Sequence, residues 1–198
     1  MSMRTVKSGF SMVELLVVIA ISTILSLTVY SFFGSSIRQY LNLSSDTQRF
    51  TDASVQSQRI ARTLRGLSDI LSVSADEITV YAYFSPADTY VSQIRYYKSV
   101  DGKSLLADVT QMTANPPTGS LIPSTNKTYT IIQEYATIAG VNLFTYLDSV
   151  GNPITLPISD LHTIKGIKVT LATNTDSAHK EPVIIYTSVS LRNRKTNL

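Results

Sequence analysis

Cysteine is absent from the 198 residues. No disulfide framework, thiolate nucleophile or cysteine-based zinc site can therefore be built, although this absence does not fix the compartment. Histidine occurs only twice, as His162 and His179, in separate turn-rich segments. A surface or loop-packing role is the plainer reading of both than catalysis. There is no glycine-rich phosphate loop, no H-E-x-x-H and no G-x-S-x-G, so the sequence gives no reason to expect an enzyme, a metal or a cofactor. Charge is also scarce, at 16% of residues against 43% hydrophobic, and the mean hydropathy of +0.11 is high for a soluble domain. The formal net charge is +3, but two of the 17 basic residues, Arg4 and Lys7, lie within the first nine positions. Without them 15 basic residues face 14 acidic ones, so the pI of about 9.1 is no argument for nucleic-acid binding.

Proline and glycine are missing where a long helix needs them missing. No proline precedes Pro86, and Gly34 is the only glycine between Gly9 and Gly66. From Leu15 to Ile37 there are 23 residues without a charge. As a helix this run is roughly 34 Å long at 1.5 Å per residue, enough for a bilayer core of about 30 Å. The basic residues in front of it place the N-terminus in the cytoplasm and the C-terminus outside. Glu14 breaks the pattern. The 14 Leu, Ile, Val and Phe residues between Phe10 and Phe33 favour insertion by very roughly 4–8 kcal/mol, against about 3 kcal/mol for one acid at the helix centre. Insertion wins, but an acid inside an apolar helix needs a partner.

The local sequence suggests one. Lys7-Ser8-Gly9-Phe10-Ser11-Met12-Val13-Glu14-Leu15 resembles the prepilin peptidase site of type IV pilins and type II secretion pseudopilins. The resemblance implies cleavage after Gly9, N-methylation of the freed Phe10 and pairing of Glu14 with the Phe10 ammonium of a neighbouring subunit. Two charges in an apolar bundle are tolerable only as a pair. The competing reading is a Sec-type signal, but that has an apolar core of about 7–15 residues and a small-x-small cut.

Beyond Ile37 the pattern becomes amphipathic. Leu43, Thr47, Phe50, Ser54, Ser57, Ala61, Leu64, Leu67 and Leu71 recur at steps of three and four. Arg59, Arg62 and Arg65 suit a helix C-terminus. A helix from Phe10 to Arg65 would be about 84 Å long. Gly34 is its expected weak point, the family's usual proline in the membrane half being absent. From Asp76 the chemistry turns to β. Strands are expected at 77–84, 90–98, 104–109, 129–138, 141–147, 167–172 and 183–191. Asp101-Gly102 makes a hairpin, residues 115–127 a loop and residues 174–182 a polar loop. Asp148-Ser149-Val150-Gly151-Asn152 reads as a turn and lacks the ligands for calcium. Asn126-Lys127-Thr128 matches a glycosylation triplet by chance.

The expected organisation is a leader over 1–9, a membrane or filament-core helix over 10–37, an amphipathic helix half over 38–71 and a β-rich head over 72–198. This is an α+β pilin-like fold, a long helix on an antiparallel sheet. The segments QIRYYKSVDGKSLL, VNLFTYLDSVGNPI, IKGIKVTLAT and VSLRNRK are loosely similar to minor pilins of the PilW type and to J-type minor pseudopilins of type II secretion. The resemblance implies a structural subunit of a pilus or pseudopilus in the inner membrane, head outside the cytoplasm, that later joins a filament. Its implied partners are other pilin subunits, the prepilin peptidase and the assembly platform. A major pilin and a bitopic membrane-anchored binding protein are the alternatives.

Overall fold

The computed structural model describes residues 11–173 and 182–191, the side chains of Ser45 and Asp46 excepted. The element order is α1 (Met12–Arg65), β1 (Asp69–Val73), β2 (Glu77–Ala82), β3 (Ser92–Lys98), β4 (Leu105–Gln111), β5 (Lys127–Ile132), β6 (Phe144–Leu147), β7 (Gly166–Thr173) and β8 (Val183–Ser190). Short 3-10 turns lie at Pro123–Thr125 and Leu161–Thr163. The α+β class expected from the sequence is the one observed. The chain divides into two compact units, up to Ser45 and from Asp46 onward.

In the first unit α1 is continuous through Gly34, although a glycine in a helix interior costs about 1 kcal/mol relative to alanine. Its Leu, Ile, Val and Phe side chains are exposed from Met12 to Leu43. Three hydroxyls within it turn back on the helix itself. Ser22 and Thr23 donate to the Ile19 carbonyl at 3.0 and 2.7 Å, and Thr28 donates to Ile24 at 2.9 Å. These are i−3 and i−4 bonds that satisfy those three donors without water.

In the second unit the end of α1 forms the core together with the strands. Ala53, Ser57, Ile60, Ala61, Leu64 and Leu67 are all buried, a one-face spacing of three and four. Ser57, Ala61, Leu64 and Leu67 were expected in this stripe. Phe50 is half exposed and Leu43 largely so. The helix stops at Arg65, where Gly66 closes a turn on the Thr63 carbonyl at 3.2 Å. Leu71 lies in β1 rather than on the helix, so the amphipathic half is shorter than the 38–71 expected.

The strands form two antiparallel sheets, not one. The first has the order β1-β2-β3-β4-β5 and the second β6-β7-β8. Ile78, Val80, Ile94, Tyr96, Leu105 and Ala107 from the first pack with Phe144, Tyr146, Ile167, Val169 and Leu171 from the second in one hydrophobic cluster. The sheets are stitched where Tyr135 bridges Thr173, where Phe144 N–H donates to the Ala75 carbonyl at 2.9 Å, and where the buried Tyr146 hydroxyl donates to the Ser74 carbonyl at 2.8 Å. The hairpin expected at Asp101-Gly102 forms. Gly102 has φ of +67°, a conformation that glycine adopts without Cβ strain. The polar loop expected over 174–182 lies outside the described residues apart from Pro182.

Candidate functional site

Of the residues expected to carry the chemistry, Glu14 is at the start of α1. Gly9 and Phe10 lie outside the described residues, as do Arg4 and Lys7. Glu14 is in the first helical turn, where a carboxylate faces the positive end of the helix dipole. Its Oε2 accepts a hydrogen bond from the Ser11 backbone N–H at 3.0 Å. The Ser11 hydroxyl in turn accepts from the Val13 N–H at 3.2 Å, and the Ser11 carbonyl takes the first helical bond, from Leu15 N–H at 3.1 Å. This is a reciprocal capping box. The serine satisfies one orphan donor of the first turn, and the glutamate three residues later satisfies the serine's own. The sequence signal for it, Ser-x-x-Glu ahead of an apolar run, is present at Ser11–Glu14; the peptidase-site pattern gives Ser11 no role of its own.

Glu14 is followed at once by exposed apolar side chains, Leu15 to Ile19, Ile21, Ile24, Leu25 and Leu27 among them. Among the described residues α1 is the one helix long and apolar enough to cross a membrane. The arrangement is an acid with a fixed backbone contact at the mouth of a lipid-compatible rod. It can present one negative charge to a cation arriving from outside the chain.

Residues 4–30 match the family model of the prokaryotic N-terminal methylation motif. That match covers both flanking cations, Gly9, Phe10 and Glu14. Among curated proteins, none matches the chain.

The remaining polar features are structural in their contacts. Asp148 Oδ1 accepts from the backbone N–H groups of Val150, Gly151 and Asn152 at 2.8, 2.8 and 2.9 Å. Those bonds, that from Asn152 foremost, hold its carboxyl below the usual range. The acid thereby shapes the turn expected at 148–152. His162 is exposed in a 3-10 turn and its N–H donates to Asp160 Oδ1 at 2.9 Å; His179 lies outside the described residues. Among the described residues no three His, Asp or Glu side chains gather as metal ligands would. Asn126 accepts from the Thr110 hydroxyl at 3.2 Å beside the start of β5.

Proposed function

We propose that this chain is a type IV pilin or pseudopilin subunit of the minor class, cleaved between Gly9 and Phe10 by a prepilin peptidase and methylated on the new Phe10 amine. The observation that carries the reading is Glu14, fixed at the first turn of an exposed apolar helix within the methylation motif. The segment 10–37 holds the subunit in the inner membrane with the head outside the cytoplasm. It then packs among the helices of other pilin subunits on the inner-membrane assembly platform. There Glu14 meets the Phe10 ammonium of a neighbour, because a carboxylate moved into an apolar bundle is stable only with a counter-charge. The loose similarity of the head to PilW-type minor pilins and J-type minor pseudopilins supports a subunit that primes or joins a filament rather than one that forms its bulk.

The test is direct. The mature protein, sequenced from its N-terminus or weighed intact, is expected to begin at Phe10 and to carry one added methyl group. Gly9 replaced by a bulky residue should leave the precursor uncut. Glu14→Ala should be processed normally yet be depleted at least tenfold from sheared filaments, the penalty of about 3 kcal/mol or more for a buried charge left alone being ample for that. A mature chain that still starts at Met1 would remove the basis of the proposal.

A further inference from the structure

An open sheet edge is a row of unpaired backbone groups, and folded proteins guard such edges with bulges, charges, prolines or a covering loop. Among the described residues four edge strands are present, and three are guarded. β1 carries an extra residue, Leu71, between the pairs Ile70–Val80 and Ser72–Thr79, and it begins with Asp69. β5 carries an extra residue, Ile131, between the pairs formed by Thr130 and Ile132, and it begins with Lys127. β6 is four residues long, and its free side is taken by the returning chain. Ile154 N–H donates to the Tyr146 carbonyl at 2.8 Å, and Pro153 bridges Leu147. β8 is different. It runs eight residues, Val-Ile-Ile-Tyr-Thr-Ser-Val-Ser, with neither charge nor proline, and its register with β7 is unbroken from Val183 to Ser190.

The register says which groups of β8 are open. Leu191 N–H donates to the Lys165 carbonyl at 2.9 Å, which makes 165–191 a hydrogen-bonded pair. In an antiparallel ladder such pairs alternate, so the odd-numbered residues of β8 exchange bonds with β7. The N–H and C=O groups of Ile184, Tyr186, Ser188 and Ser190 therefore point away from the sheet, and among the described residues nothing pairs with them. The side chains of Tyr186, Ser188 and Ser190 are exposed. The edge offers roughly 26 Å of strand at 3.3 Å per residue.

We propose that β8 is an interaction surface that pairs with β8 of a second copy of this chain, antiparallel, across a two-fold axis near Tyr186 and Ser188. An edge of this kind accepts only an extended backbone. Within a second copy the other three edges are guarded, so β8 is the strand available, and like-with-like pairing is isologous. Charge sets the direction. Arg192, Arg194 and Lys195 follow β8 in the sequence. Parallel pairing would bring together the two strand ends that these cations follow, whereas antiparallel pairing sets those ends a strand length apart, beyond the Debye length of about 8 Å. The pairing does not depend on cleavage at Gly9.

The absence of native cysteine makes the test clean. Full-length protein in its own membrane is given a single cysteine at Ile184, Tyr186, Ser188 or, as a control on the guarded strand, at Thr128. It is then treated with a thiol cross-linker of about 8 Å reach, which covers opposed and diagonal cross-strand positions. A cross-linked homodimer is expected from at least one β8 position and not from Thr128→Cys. Adding Ser188→Pro to Tyr186→Cys removes an outward N–H while sparing the bonds to β7, and should lower the dimer yield about tenfold. Ser188→Lys, which leaves the backbone intact and adds an edge charge, should do the same with the protease resistance of the head unchanged. Three results would each overturn the proposal: equal cross-linking from Thr128→Cys, no product from any β8 position, or a product whose mass shows a different protein. The N-terminus of each variant, sequenced in parallel, reports on the processing reading separately.

Discussion

Ser11 and Glu14 serve each other before either can serve a neighbour. The carboxylate that the proposed function assigns to an incoming ammonium already accepts the Ser11 amide, so it is held over the helix N-terminus rather than left to wander. Removing the hydroxyl should loosen this. Ser11→Ala is expected to cost about 1 kcal/mol at the first turn and to raise amide hydrogen exchange at Val13 roughly fivefold in detergent micelles. An unchanged rate would mean that the cap is not populated. A second residue-scale prediction concerns Tyr96. Burial raises its phenol to about 12, against about 10 unfolded. A raised acid keeps its proton in the native state while the unfolded chain releases it. The stabilisation is therefore complete below pH 10 and is lost as pH rises through 12, with a slope of about 1.4 kcal/mol per pH unit. Tyr96→Phe should flatten this part of the stability profile measured by urea unfolding. A profile identical to that of the parent would refute the assignment.

At the scale of elements, α1 works differently at its two ends. From Ala53 to Leu64 its buried face is a packing surface for the sheets, so substitutions there should behave as core substitutions. Leu64 is fully buried, and Leu64→Ala should lower unfolding stability by about 2–5 kcal/mol. Val55, on the same helix but 57% exposed, should cost no more than about 0.5 kcal/mol when replaced by alanine. Equal urea midpoints for the two variants would contradict the packing described. Much of this was legible in the sequence, because Ser57, Ala61, Leu64 and Leu67 keep the helical period and no proline interrupts it. The strand β1 was not. Leu64, Leu67 and Leu71 continue a step of three and four, which reads as helix. In the fold Leu71 is the bulged residue of an edge strand, and a bulge erases the two-residue alternation that would have announced it. The Asp101-Gly102 turn was legible because its backbone needs a positive φ. The division into two sheets was not, and neither was the place where they are joined, Tyr135 meeting Thr173, a long-range pairing without a local signature.

For the molecule as a whole, the N-terminal motif was the most readable part, because each feature there has a direct physical reading: basic flank, charge-free length, one early acid. The head was readable as a succession of strands but not as a surface, because which strands end as edges is decided by order rather than by composition. The hydroxyls of the apolar helix have one last bearing on how such a molecule could change its surroundings. Ser22, Thr23 and Thr28 spend their donors on carbonyls three or four residues back, so these three hydroxyls are satisfied within the rod. Moved from acyl chains to a sheath of other helices, these hydroxyls would break none of those bonds and need no new ones, which leaves the Glu14 carboxylate as a group whose transfer calls for a partner.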